Sequence, residues 1–203
     1  MTSIIYNKSY NPPPVDKNEV LRYAGVRSDV PELYGVLDSS VDEAMAKLSY
    51  KACYREFPIS FTGDIIDLGF TSVSSRSLSN RLAGCEGIIL FAATVGVGID
   101  RLIARYSRVN PTRSLLLQSI GTERVEALCD LFEKEISDEL SRRGFLTRPR
   151  FSPGYGDLPL SMQRDVFSAL DCNRRIGLAL NDSLLMSPSK SVTAIIGFAK
   201  RRN

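Results

Sequence analysis

The sequence predicts an α+β fold: a single domain in which helices pack on a sheet. Two observations carry the α+β class. Apolar residues recur at helical spacing over residues 30–48 and 111–143, while the stretches between and after them alternate or form short apolar runs bounded by turn residues. The third observation bears on domain number. The chain has 203 residues, of which 43% are hydrophobic and 24% charged, which suits one ordinary globular core or at most two.

Taken in order, residues 1–15 carry Pro12-Pro13-Pro14 and little periodicity, so they read as an extended arm ahead of a domain spanning 16–203. Within that domain, residues 16–60 supply helices and the first strand, and 61–203 the ligand-binding part. Asp16 is placed to cap a helix from Lys17 that Gly25 ends, and a second helix runs from Val30 or Pro31 to about Leu48. Strand patterns follow at Lys51 to Phe61, Ile65 to Leu68 and Phe70 to Val73, with Gly63-Asp64 as a turn. Ser75 caps a short helix over 76–82, and Gly87 to Ala93 is the most buried strand.

Thr94-Val95-Gly96-Val97-Gly98-Ile99-Asp100 then joins that strand to a helix ending at Tyr106. A dinucleotide loop needs a third glycine where Arg101 stands, so the segment reads as a close packing turn. The longest helix, Pro111 to Arg143 with an expected break near Gly121, carries the stripe Val125, Leu128, Cys129, Phe132, Ile136 and Leu140. Glu126 lies about 100° from Val125, at the edge of that stripe. Further on, Ser161 is expected to cap a helix to about Leu170, and Asp171 to Gly177 to turn the chain. Short strands follow around Asn181-Asp182, and the last strand covers Val192 to Phe198.

Between the long helix and its successor lies Arg150-Phe151-Ser152-Pro153-Gly154-Tyr155-Gly156-Asp157. Pro153 fixes its own φ, and the two glycines can adopt conformations closed to other residues, so the loop holds a shape. Ser152 can present backbone groups to a ligand. Arg150 suits a carboxylate or phosphate through its planar fork, and Tyr155 can form a wall or cover an aromatic ring. Ser189 and Ser191 offer hydroxyls before the last strand.

Other classes are excluded by composition. The chain has no histidine, which removes histidine triads, histidine metal sites and histidine general bases. Cys53, Cys85, Cys129 and Cys172 are far apart, without a C-x-x-C pair, and read as buried free thiols of a reducing compartment. A net charge of +3 is spread out, with clusters at Arg142, Arg143, Arg148 and Arg150 and at Lys200, Arg201 and Arg202. No aromatics interleave them as a nucleic-acid platform requires. The longest apolar run, Gly87 to Gly98, falls far short of the ~20 residues of a membrane span. A cytoplasmic protein without nucleic-acid or membrane partners is the expectation.

Arg150-x-x-x-Gly154-Tyr155 resembles the signature of the S-adenosylmethionine-binding activation domain of cobalamin-dependent methionine synthase. Met186 to Gly197, with its Ser187-Pro188-Ser189-Lys190-Ser191 start, is similar to that family's C-terminal segment, and Asp171 to Leu185 also reads like it. Glu126-Ala127-Leu128-Cys129-Asp130 looks like the segment that carries a ligand-contacting glutamate. The resemblance covers roughly 123–198 and is nearest to free-standing relatives of the domain. It implies an activation-domain-like fold, with helices packed on a mixed, largely antiparallel sheet, and an S-adenosylmethionine site made of Glu126, Arg150, Ser152, Gly154, Tyr155 and Ser189. There Arg150 would hold the carboxylate, Glu126 the positive end, Ser152 the adenosine part and Tyr155 the wall. No catalytic residue and no metal ligand is implied on this chain. Cobalamin would be carried by a partner, a methionine synthase or another corrinoid protein, with a flavodoxin- or ferredoxin-type electron donor. The other function that the resemblance allows is an S-adenosylmethionine-sensing or docking protein for a corrinoid methyltransferase. The chain departs from the fused domain in having no tryptophan, in Leu184 where a tyrosine stands, and in Gly156 after Tyr155.

Overall fold

A computed structural model describes residues 4–28 and 30–201. The first residues of the expected arm and Arg202 of the tail cluster lie outside the described residues. In chain order the elements are β1 (Tyr6–Tyr10), α1 (Lys17–Tyr23), α2 (Pro31–Met45), β2 (Tyr50–Pro58), β3 (Ser60–Thr62), β4 (Ile65–Asp67) and β5 (Ser72–Ser74). They continue with α3 (Arg76–Leu82), β6 (Gly87–Thr94), α4 (Gly98–Tyr106), α5 (Pro111–Arg142) and β7 (Phe145–Thr147). The chain closes with α6 (Gln163–Leu170), α7 (Cys172–Ile176), β8 (Ala179–Leu180), β9 (Met186–Ser187) and β10 (Ser191–Lys200).

The main sheet has the order β1-β2-β6-β10-β7, and every ladder in it is antiparallel. Its central strand β6 is buried along its whole length because both of its faces are covered. Alternation divides its side chains. Ile89, Phe91 and Ala93 join the core under α1, α2, α4 and α5, while Ile88, Leu90 and Ala92 join the core under α3, α6 and α7. Phe132 of α5 packs at a tilt against Phe91 with ring centroids 4.5 Å apart, tying the long helix to the sheet centre. Burial of a side chain this size stabilises by about 2–3 kcal/mol.

Several local expectations need correction. Within the expected extended arm, residues 6–10 form edge strand β1, in register with Tyr50 to Tyr54 of β2. Two carbonyls of its proline run, those of Pro13 and Pro14, accept from Arg124 at 2.6 and 2.7 Å. No break occurs at Gly121. A Cβ there would lie 2.8 Å from the Lys190 side chain and 2.9 Å from Ile99, so the glycine admits neighbours to an intact helix. Ser161 caps nothing. It lies in a 3-10 turn, Leu160–Met162, that runs straight into α6. Asp171, at φ 49°, ends α6 in the left-handed region that aspartate tolerates, and the expected turn after it is the short helix α7.

Two expected helix caps hold. The Asp16 carboxylate accepts from the N–H groups of Asn18 and Glu19, and Ser75 accepts from that of Leu78. Asn110 caps α5 ahead of Pro111. The glycine turn after β6 is a packing device, since a Cβ on Gly98 would stand 2.1 Å from the Lys47 carbonyl oxygen. Among the described residues no helix is long and apolar enough to cross a membrane.

Candidate functional site

The loop between β7 and α6 takes its shape from contacts at both ends. At its start Phe151 pairs with Ile195 of β10, each N–H donating to the other's carbonyl at 2.9 Å. In the middle the Gly154 N–H donates to the Leu158 carbonyl at 2.9 Å, and Gly154 has φ 92°, a conformation that favours glycine. At its end the Asp157 carboxylate accepts from the Ser75 hydroxyl at 2.6 Å and from the N–H groups of Arg76 and Ser77 at 2.8 and 3.0 Å. Those donors, the Ser75 hydroxyl first, hold the Asp157 carboxyl well below the usual carboxylate range. Gly156 makes this approach feasible, because a Cβ there would meet the Ser77 hydroxyl at 2.6 Å.

Under the loop is a cavity of about 500 Å³. Its walls come from α3 (Arg81), α5 (Glu126), the loop (Arg150 to Pro153 and Tyr155), Gln163 at the start of α6, Met186 of β9 and the first residues of β10. This is a common size for a small-molecule site. Four of the six residues expected to bind, Glu126, Arg150, Ser152 and Tyr155, line this one cavity. The other two do not. Gly154 serves the loop's own turn, and Ser189 is directed away. The Ser189 N–H and hydroxyl both donate to Asp100 near the start of α4. From that segment it is Ser191 that reaches the cavity, with Val192 and Thr193.

Arg150 is already surrounded. Its Nη2 donates to Glu126 at 2.7 Å, and its Nη1 to Asp130 at 2.7 Å and to Glu133 at 2.6 Å. Its backbone N–H donates to Glu133 as well, at 2.8 Å. The three acids sit four and three residues apart on α5, so they project from adjacent turns on one face. Burial alone would pull the guanidinium pKa down; the bonds to Asp130 and Glu133 outweigh it and raise it. Burial pushes the thiol of Cys129, on the same helix, up. Tyr155 is 67% exposed, with its ring 6.4 Å from that of Phe151, an aromatic pair open to a further planar group. Arg81 is exposed, 5.9 Å from the Phe151 ring, and among the described residues it makes no ion pair. The pattern of residues singled out the loop and Glu126 but gave no sign of Arg81 or Gln163, which reach the cavity only through the packing of α3 and α6.

A sequence model of the family described as "Vitamin B12 dependent methionine synthase, activation domain" matches residues 79–202, more than half of the chain. The chain belongs to that family. Among solved structures, one titled "Crystal Structure of the MetH Reactivation Domain bound to AdoHcy" superposes with a TM-score of 0.71 at 14% identity. The match covers 98% of this chain and 79% of that one, so the activation-domain fold takes in β1 and both helices before β2 as well as the matched segment. No curated protein sequence matches the chain. In this activation-domain chain Arg150, Gly154 and Tyr155 stand on the loop over the cavity. No group of three or more histidine, cysteine, aspartate or glutamate side chains suited to a metal occurs among the described residues.

Proposed function

We propose that the cavity binds S-adenosylmethionine and that the chain serves the reductive reactivation of cobalamin held by a partner, a methionine synthase or a related corrinoid protein. The observation that carries this reading is the mixed-sign wall around Arg150. S-adenosylmethionine has an ammonium, a sulfonium and a carboxylate, hence one net positive charge. Of the charged side chains Arg81, Arg150 and Glu126 line the cavity, while Asp130 and Glu133 hold Arg150 from outside its lining. A ligand carboxylate can take the place of one acid on the guanidinium fork, and the released acid then faces the ligand's positive groups. Tyr155 and Phe151 suit the adenine ring, and the backbone of Ser152 suits the ribose or base edge.

S-adenosylmethionine, once bound, supplies a methyl group to the reduced cobalt of the partner's cofactor. This chain positions it and needs no nucleophile or general base of its own, in keeping with the absence of histidine. The reduction calls for an electron donor of the flavodoxin or ferredoxin type, and a cytoplasmic setting accommodates all these components.

Calorimetric titration with S-adenosylmethionine tests the site. The expected result is binding by the parent that weakens about 100-fold in Arg150→Ala, because a charge-assisted, partly buried pair is lost. Parent and variant binding alike, or no binding by the parent alone or with a cobalamin-loaded methionine synthase lacking its activation domain, would sink the reading. Binding without any reactivation of that synthase would instead identify a sensing or docking protein.

A further inference from the structure

We infer that Gln163 recognises the adenine base of the bound ligand through its side-chain carboxamide. The inference rests on the reading of the ligand as S-adenosylmethionine and extends it to a residue that neither the loop signature nor the resemblance includes. Gln163 is 6% exposed and lines the cavity. Its Oε1 is buried and accepts no hydrogen bond, alone in this among side-chain oxygens of the described residues. An acceptor left in that state is unfavourable, and a donor from a ligand removes the cost.

Its place in the fold makes it a fixed element. Gln163 is the first residue of α6, and Val166 and Leu170, three and seven positions on, anchor the same face in the core under the sheet. The Glu126 carboxylate comes from α5 on one side of the sheet, and the carboxamide from α6, with Arg81 of α3, on the other. A ligand lying across the cavity therefore meets a carboxylate at α5 and a neutral amide at α6. Apolar and aromatic side chains, Met186, Val192, Phe151 and Tyr155, also line the cavity. A flat, neutral heterocycle with a donor on its edge fits that setting, and of the parts of S-adenosylmethionine only adenine answers the description. A glutamine amide matches adenine in two bonds: its oxygen accepts from the exocyclic amine, and its nitrogen donates to a ring nitrogen.

The test compares S-adenosylhomocysteine with the analogue whose purine carries hydrogen in place of the 6-amino group, by calorimetry on the full chain. The parent should prefer the amino ligand by at least about tenfold, the factor set by an unmet buried acceptor. Gln163→Met should bind the amino ligand about tenfold more weakly and the two ligands alike, while Gln163→Glu, which keeps the acceptor, retains the preference. Thermal unfolding checks that each variant is folded. A Gln163→Met protein with the parent's preference overturns the inference and leaves the S-adenosylmethionine reading standing, provided that Arg150→Ala still weakens binding about 100-fold. A parent with no preference overturns it without recourse to any variant. A parent that binds neither ligand, alone or with the cobalamin-loaded synthase, overturns both.

Discussion

Two arginines bound to glutamates on the same helix show how differently one chemistry can be used. Arg124 is fully buried beside Glu123, with Nη1 and Nη2 on the carbonyls of Pro13 and Pro14. The Glu123 carboxylate also accepts from the Asp16 N–H at 3.1 Å. Backbone groups thus satisfy this pair from several sides, and no small molecule can compete for it. Arg150 instead sits 23% exposed among side chains, of which Asp130 is 70% and Glu126 40% exposed. These partners can turn to water when a ligand arrives. A buried pair met by backbone fixes the fold, and a half-exposed pair met by side chains makes a site.

The largest effect in this comparison is expected at Arg124. Arg124→Met leaves the Glu123 carboxylate buried without its partner and should cost about 3–5 kcal/mol in denaturant unfolding. Adding Glu123→Gln should restore part of that loss, which separates charge from packing. Arg150→Ala should do the reverse, with its main effect in ligand affinity and little in stability, because solvent screens its partners.

The loop clasp comes next. The folded pKa of Asp157 lies below its ordinary value of 3.8, so its contribution is in force above pH 4 and fades as pH falls through that value and below. Asp157→Asn should flatten the acid limb of a stability-versus-pH curve. At neutral pH it should weaken S-adenosylmethionine about tenfold, because the loop that holds Arg150 and Tyr155 is less well placed. A variant with an unchanged acid limb would mean that the clasp contributes nothing.

The smallest effect belongs to Asp130, the most exposed of the acids on Arg150. Asp130→Ala should leave the unfolding midpoint where it is and raise ligand affinity by about twofold, since it removes one competitor for the guanidinium. A large loss of affinity would make Asp130 a ligand contact instead.

Local signals carried much of this fold. The caps at Asp16 and Ser75 and the apolar stripe of α5 follow from spacings of three and four residues. The Pro/Gly pattern of the loop is likewise local, and it led to the cavity. What eluded a reading of residues were features made between distant segments. Strand β1 has no apolar run of its own and pairs through its backbone. Gly121 has the composition of a break, and only the closeness of Lys190 and Ile99 explains it. Ser189 and Ser191 are alike in sequence, yet Asp100 takes the first and the cavity the second. Arg124 and Gln163 are polar residues in helices, and only tertiary packing makes one a buried strut and the other a cavity wall.

The clasp between Asp157 and the start of α3 joins residues about eighty positions apart. Loop closure of that span is entropically unfavourable, so the clasp depends on the rest of the fold to bring its two ends together. An excised peptide copying residues 150–160 has the same prolines and glycines but nothing to hold them. The capacity to bind is a property of the finished assembly.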